Sequence, residues 1–371
     1  MNRRDFFRIS ASGIAALAVS DALGTAVASE RKRKGESYSI VMLGDTHYDA
    51  APFELYHTGY SDPKPEREAL HRSESARNAD MWQDRCPRLV KRAACLAGDD
   101  TKMFFQLGDL IQGDTGDYDT HVKFLDDAMT LLKGMLGPLP LVTVAGNHDL
   151  RAADDKVALR AYTDYMPGRM SEELGQRVDA LNFMFRIGKD AYIVVDFNHP
   201  DDAAVEALFD KAEGARYTFV IIHSPVLPYS SVKYGNWIYH GRKQKTPEAR
   251  LHMREVMARH NAIVICGHSH TTEFARWEGF GGSITQMTIN SVWKEEKVGT
   301  YNVSERGVEA YAAIKQPGDD RSLVDEVLPG MKEYVRSNAA GSYRMKVSDE
   351  GVTMEVYAGD STFVSDTFRL R

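Results

Sequence analysis

Ser39-Ile-Val-Met-Leu-Gly-Asp45-Thr-His47 sets an apolar run directly against a carboxylate and an imidazole. Ala262-Ile-Val-Ile-Cys-Gly-His268-Ser-His270 repeats the arrangement far along the chain. Three further apolar runs end in the same way. MFFQL at 103–107 precedes Gly108-Asp109, PLVTVA at 140–145 precedes Gly146-Asn147-His148-Asp149, and YTFVII at 217–222 precedes His223. Short runs rich in Val, Ile and Phe read as buried strands. In open α/β sheets, sites form beyond the carboxyl ends of the strands. Five strands that each end in metal-type ligands therefore predict one shared centre.

The chain has 371 residues, 43% of them hydrophobic, which is enough to bury a large core. A prior of ~150 residues per domain suggests two domains, but clusters spread from 45 to 270 must meet in one place. One large domain over 38–315 is expected, followed by a C-terminal helix and β-hairpin extension over 316–371. A net charge of −7 gives no sign of a nucleic-acid surface. Cys86, Cys95 and Cys266 show no Cys-x-x-Cys spacing and are expected as unpaired, mostly buried thiols.

Residues 1–28 read as a signal peptide. Arg3-Arg4 gives a charged start, Ile9 to Val19 is a short apolar stretch, and Ala26-Val27-Ala28 is an A-x-A cleavage signal. The apolar run is shorter than the ~20 residues of a spanning helix. The paired arginines before Phe6-Phe7 resemble a twin-arginine signal of bacteria. A periplasmic or secreted protein is expected, carried by the twin-arginine export machinery and left without a stable membrane anchor after cleavage.

Strands and helices alternate along the chain. Helices are expected at about 75–97, 118–136, 154–165, 201–213, 247–260 and 321–336. A hairpin is expected at 181–196 around Gly188-Lys-Asp190, with later strands near 283–289 and 308–314. A terminal hairpin, 342–348 with 352–358, would either extend a sheet or form an appendage. Segments 50–74 and 224–245 read as long connections. Such an alternation argues for helices layered over central sheets.

Imidazole, carboxylate and amide donors together suit zinc, iron or manganese. Seven of them exceed the needs of one tetrahedral ion and suit two ions sharing a carboxylate, ~3.5–4 Å apart. The blocks, in order, read D-x-H (Asp45-Thr-His47), G-D (Gly108-Asp109), G-N-H-[DE] (Gly146-Asn147-His148-Asp149), H (His223) and G-H-x-H (Gly267-His268-Ser-His270). Over residues 38–290 this pattern resembles the calcineurin-like metallophosphoesterase family.

The resemblance implies an α/β fold, a four-layer αββα sandwich of two mixed β-sheets flanked by helices. It implies a two-metal phosphoesterase that hydrolyses a small-molecule phosphomonoester or phosphodiester by attack of a metal-bridging hydroxide. Asp45, His47 and His270 would hold one divalent ion, and Asn147, His223 and His268 the other. Asp109 would bridge the two. His148 would stand outside the ligand set as acid or phosphate donor. Asp149 would orient the loop or an imidazole, or else cap a helix. The alternative reading is a catalytically inactive metal-binding scaffold of the same fold. Relatives of that kind usually lack part of the set, whereas this chain keeps it whole.

The second block departs from two subfamilies. Protein Ser/Thr phosphatases continue it as G-D-x-x-D-R-G, whereas here it reads Gly-Asp-Leu-Ile-Gln112-Gly-Asp114. Purple acid phosphatases carry a metal-ligating tyrosine where this chain has Gln112. Specificity would lie in the connections. Residues 50–77 supply His57, His71, Arg72 and Arg77; 224–245 supply Tyr229, Tyr234, Trp237, Tyr239, His240 and Arg242. These aromatics either stack on a substrate or pack the loop down, and packing is favoured. His57, His71, His199, His240, His252 and His260 match no block and read as ordinary polar histidines.

Overall fold

The structure is a computed structural model that describes residues 36–228, 238–241, 246–292, 301–313 and 321–371. The expected leader at 1–28 lies outside the described residues, as do Tyr229, Tyr234, Trp237 and Arg242 of the 224–245 connection. In chain order the strands are β1 Tyr38–Leu43, β2 Thr101–Gln106, β3 Leu141–Thr143, β4 Phe183–Ile187, β5 Asp190–Val195, β6 Thr218–Ile222 and β7 Ile263–Cys266. They continue as β8 Thr272–Gly279, β9 Gly282–Thr288, β10 Val303–Arg306, β11 Met331–Ser337, β12 Gly341–Ser348, β13 Gly351–Ala358 and β14 Asp366–Arg369. The helices are α1 Glu54–His57, α2 Pro65–Met81, α3 Arg85–Ala94, α4 Tyr118–Leu136, α5 Asp155–Leu174, α6 Asp202–Lys211, α7 Pro247–Arg259, α8 Val308–Ala312 and α9 Ser322–Val327.

All five apolar runs are strands, and they divide between two mixed sheets. One sheet has the order β14-β13-β12-β1-β2-β3, with β1, β2 and β3 parallel. The other has the order β10-β11-β8-β9-β7-β6-β5-β4, with β5, β6, β7 and β9 parallel. Side chains of the second sheet alternate between two cores. Tyr192, Val194, Phe219, Ile221, Ile263 and Ile265 face the first sheet, while Ile193, Val195, Val220, Ile222 and Val264 face α6 and α7. This period of two is what a strand buried on both faces requires. Helices α3, α4 and α5 cover the outer face of the first sheet, which completes the four layers.

Aromatic rings lock the sheets together. Phe185, Tyr192 and Phe219 stack in series at centroid separations of 5.1 and 4.5 Å, and Phe105 of β2 meets Tyr192 edge-on at 5.8 Å. Offset and edge-to-face pairs add to the burial of their area.

Several expected elements are corrected. The helix expected at 75–97 is two helices, and α2 begins inside the supposed connection, where Pro65 occupies a first-turn position that needs no N–H. The helix expected to stop near 165 runs to Leu174, with Pro167 inside it. Residues 308–312 are helical rather than extended, and this turn buries Tyr311 in the outer core of the second sheet. The helix expected over 321–336 ends at Val327, because Pro329-Gly330 breaks it and β11 follows. Strands β8 and β14 were not expected. The terminal hairpin adds to the first sheet, with β12 antiparallel to β1.

Cys86 and Cys266 are buried, Cys95 is exposed, and all three are free thiols. No helix among the described residues is long and apolar enough to cross a membrane.

Phe105 is wholly buried between the sheets. Phe105→Ala is expected to cost about 3–5 kcal/mol of stability, read from the urea midpoint. An unchanged midpoint would show that this contact does not hold the layers together.

Candidate metal centre

The parallel strands of both sheets point their carboxyl ends at one seam, where the loops that follow them are tied by backbone bonds. Thr46 N and His47 N donate to Asp109 O at 3.1 and 2.8 Å, and Gly267 N donates to His223 O at 2.9 Å. The sheets are joined when His268 N donates to Asp45 Oδ1 at 3.0 Å. Space here is minimal. A Cβ on Gly146 would lie 2.2 Å from Asp109 Oδ1, and one on Gly108 would lie 2.6 Å from His223 Nδ1. Gly108 also has φ +85°, a conformation that suits glycine.

The backbone at the ligands is strained. His47, Asp109, His268 and His270 have φ of 41°, 48°, 68° and 52°. Left-handed conformations of non-glycine residues persist where the surroundings over-determine them, and they cluster at functional sites. No sequence signal marked them.

The side chains converge in two groups. Donor atoms of Asp45, His47, Asp109 and His270 lie within 4.8 Å of one another, as do those of Asp109, His223 and His268. Asp109 Oδ2 belongs to both groups, 3.6 Å from His47 Nε2 and 3.3 Å from His223 Nε2. His270 Nε2 is 2.9 Å from Asp45 Oδ2 and 3.4 Å from His47 Nε2. His268 Nδ1 is 3.1 Å from His223 Nε2. His223 Nδ1 donates to Leu107 O at 2.7 Å, which turns Nε2 inward; such outer bonds fix the tautomer of metal-binding histidines.

Donor type and charge fit divalent ions. Asn147 Oδ1 is buried and meets no hydrogen-bond donor, a cost of about 1–3 kcal/mol unless a partner arrives. Burial alone would lower the His223 imidazole, yet Asp109 and Asp45 outweigh it and raise it to about 9. Two buried carboxylates thus call for positive charge at this seam. Mixed imidazole, carboxylate and amide donors suit first-row divalent metals.

His148 and Asp149 occupy different places. His148 packs edge-on against His47, with ring centroids 4.4 Å apart, and its Nδ1 donates to Gln112 O at 3.0 Å. Burial and the charge of Arg151 push its ring well below the usual imidazole range. Asp149 caps no helix, since Asp154 caps α5. Its Oδ1 accepts from Ile111 N at 3.0 Å and its Oδ2 from Gly146 N at 2.9 Å. Asp149 thereby clamps the second and third loops together.

The 50–77 segment builds a buried polar layer beside this clamp. His57 meets Asp49 and Ser75, and His71 Nδ1 lies 3.2 Å from Asp114 Oδ1. Gln112 Oε1 accepts from Asn78 Nδ2 at 2.6 Å. Arg72 instead stays exposed, pairing with Glu68. Tyr239 and His240 bond Asp202 at the start of α6, so this part of the 224–245 connection is packed down. His199 and His252 are exposed and pair with Asp196 and Glu206, while His260 packs on Phe209. Sequence reading missed Asp114 and Arg151, which join at 2.6 Å. The only sign of Arg151 was its place two residues past the third block.

A family model described as calcineurin-like phosphoesterase matches residues 38–272. Among solved structures, that of PhoD has a TM-score of 0.54 at 10% identity, covering 91% of this chain and 70% of PhoD. A purple acid phosphatase from yellow lupin (Lupinus luteus) seeds has a TM-score of 0.53 at 9% identity, covering 91% of this chain and 54% of that one. At such identities the likeness is one of fold. No curated protein matches the sequence.

Burial alone would raise the Asp114 carboxyl, but Arg151 and His71 outweigh it and hold it well below the usual carboxylate range. A lowered acid stabilises the fold at pH values above its unfolded pKa of ~3.9, and the stabilisation is lost as pH falls below that. Wild-type stability is therefore expected to drop as pH falls from about 4, and Asp114→Asn to flatten that acid limb. Thermal melts at several pH values check this, and parallel limbs would contradict it.

Proposed function

Because the chain belongs to the calcineurin-like phosphoesterase family, we propose that its six converging donors together with Asn147 hold two divalent ions and that the third loop handles the phosphate ester. The chain is a metal-dependent phosphoric ester hydrolase of a family that uses a dinuclear metal centre. Asp45, His47 and His270 would hold one ion, and Asn147, His223 and His268 the other, with Asp109 serving both. The observation that carries this reading is the position of Asp109 Oδ2, a vertex common to both donor groups. When bound, such a pair of ions supplies Lewis acidity and lowers the pKa of water toward neutrality.

The remaining steps fall to side chains of the protein. Gln112 O accepts from His148 Nδ1 in either charge state of the ring, so Nε2 is the atom turned to chemistry: it is an acceptor in the neutral ring and donates to the phosphate or to the leaving oxygen once the ring is protonated. Asp149 is a positioning residue, because its carboxylate is taken up by two backbone amides. The substrate is a small phosphate ester, mono- or diester. Export to the periplasm or beyond is supported by Arg3-Arg4, the Ile9–Val19 stretch and Ala26-Val27-Ala28. The catalytic domain would span 38–315, with 316–371 as a C-terminal extension whose strands join both sheets.

Protein lacking residues 1–28 and loaded with manganese is expected to hydrolyse aryl phosphate mono- or bis-esters; inactivity on both with metal bound would sink the hydrolytic assignment. His148→Asn should retain its metal by mass spectrometry and lose turnover by about 10²–10⁴-fold. Release of metal would make His148 a ligand instead. Asp109→Asn should lose both ions, and loss of only one would rule out a shared role.

A further inference from the structure

Arg151 lies in the same loop as Asn147, His148 and Asp149 but belongs to neither donor group. All three of its hydrogen bonds leave from Nη2: to Asp114 Oδ2 at 2.6 Å, to Gln112 O at 3.4 Å and to Glu74 Oε2 at 3.5 Å. Nε is buried and donates to nothing. A guanidinium carries five N–H donors in a fixed plane. Nε points to the same side as Nη2 and is enclosed by the protein, so Nη1, which makes no hydrogen bond and is not enclosed, is the nitrogen left for another acceptor.

Gln112 O shows where the guanidinium lies. It accepts both His148 Nδ1 at 3.0 Å and Arg151 Nη2 at 3.4 Å. The imidazole and the guanidinium thus hang side by side from one carbonyl, with His148 in turn packed against His47. Arg151 is also held rigidly. Asp114 is wholly buried and is itself braced by His71, and Glu74 comes from α2. A pair serving stability alone would spend the fork on its partner, because carboxylates readily accept arginine through two nitrogens. Here Asp114 takes only one.

We propose that Arg151 is a substrate-binding residue whose Nη1 donates to a non-bridging oxygen of the phosphoryl group beside His148. This rests on the reading of the centre as a phosphate ester hydrolase. Nη1 carries two N–H donors held in a fixed plane, whereas a lysine would offer a mobile point charge. The 50–77 segment then acts on substrate at one remove, since its Glu74 and His71 set the guanidinium through Nη2 and Asp114.

The test uses manganese-loaded wild type, Arg151→Lys and Asp114→Asn. Each is assayed for bound metal, melting temperature, affinity for inorganic phosphate by calorimetry, and kcat and KM on an aryl phosphate monoester. Arg151→Lys keeps a cation beside Asp114, so it should stay folded and keep its metal. Phosphate affinity should weaken by about tenfold and kcat/KM fall by roughly a hundredfold. Asp114→Asn keeps the guanidinium but frees its anchor, and should weaken phosphate by a smaller factor at unchanged metal content. Unchanged phosphate affinity in Arg151→Lys overturns the proposal, as does an affinity that falls only in step with lost metal. If Arg151→Lys fails to fold, Asp114→Asn decides: weaker phosphate binding supports the grip and wild-type binding refutes it. A wild type that binds phosphate through Arg151 yet hydrolyses no ester would leave this inference standing while the hydrolase reading falls.

Discussion

One carboxylate oxygen sits where two sheets meet, and the rest of the site is arranged around it. Asp109 Oδ2 faces His47 from the first sheet's loops and His223 from the second's, while Oδ1 accepts His148 N at 2.7 Å. A carboxylate in this position cannot be solvated by water, and burial by itself would neutralise it. Its charge is sustained by groups that follow its two neighbouring strands, His47 after β1 and His148 N after β3, and by His223 after β6 of the other sheet. Every motif loop therefore has to arrive at a fixed distance, and the strained backbone at four of the donors is the local cost of that convergence.

The blocks and the strands that carry them were legible because two signals coincide there. Apolar runs of strand length stop abruptly at a glycine or a polar ligand, and no other arrangement buries both. Helix α4 was legible too, from the spacing of Phe124, Leu125, Ala128, Leu131 and Leu132 and from the Gly137-Pro138 stop; the Asp117 cap emerged with the structure. Local pattern failed where a distant partner decides. Pro167 reads as a stop but sits inside α5, and the charged run of β11 reads as helix although it pairs with β8. Nothing near His71 or Glu74 announces that they serve Asp114 and Arg151, because that network is assembled from α2 and two separate loops.

The polar layer between the 50–77 segment and the third loop explains a departure in the second block. Gln112 stands where a purple acid phosphatase has a metal-ligating tyrosine. Here its side chain turns away to Asn78, Glu74 and Asp114. Only its carbonyl serves the site, by holding His148 and Arg151. The residue acts as a bracket, and the helix that fixes it lies in the segment whose periodicity was least readable.

The order of the first sheet has a consequence for how the protein is made. Strand β1 lies between β2 and β12, and Tyr38 pairs with Val347. The ribosome releases β1 early and β12 only after every metal-donor loop has emerged. Until then β1 keeps one unpaired edge, a template for wrong strands. Long-range pairing of this kind is slow to form. The nascent chain must therefore be sheltered with its ligands already synthesised but its central strand half-framed, and closure of the sheet comes as a late event of biogenesis.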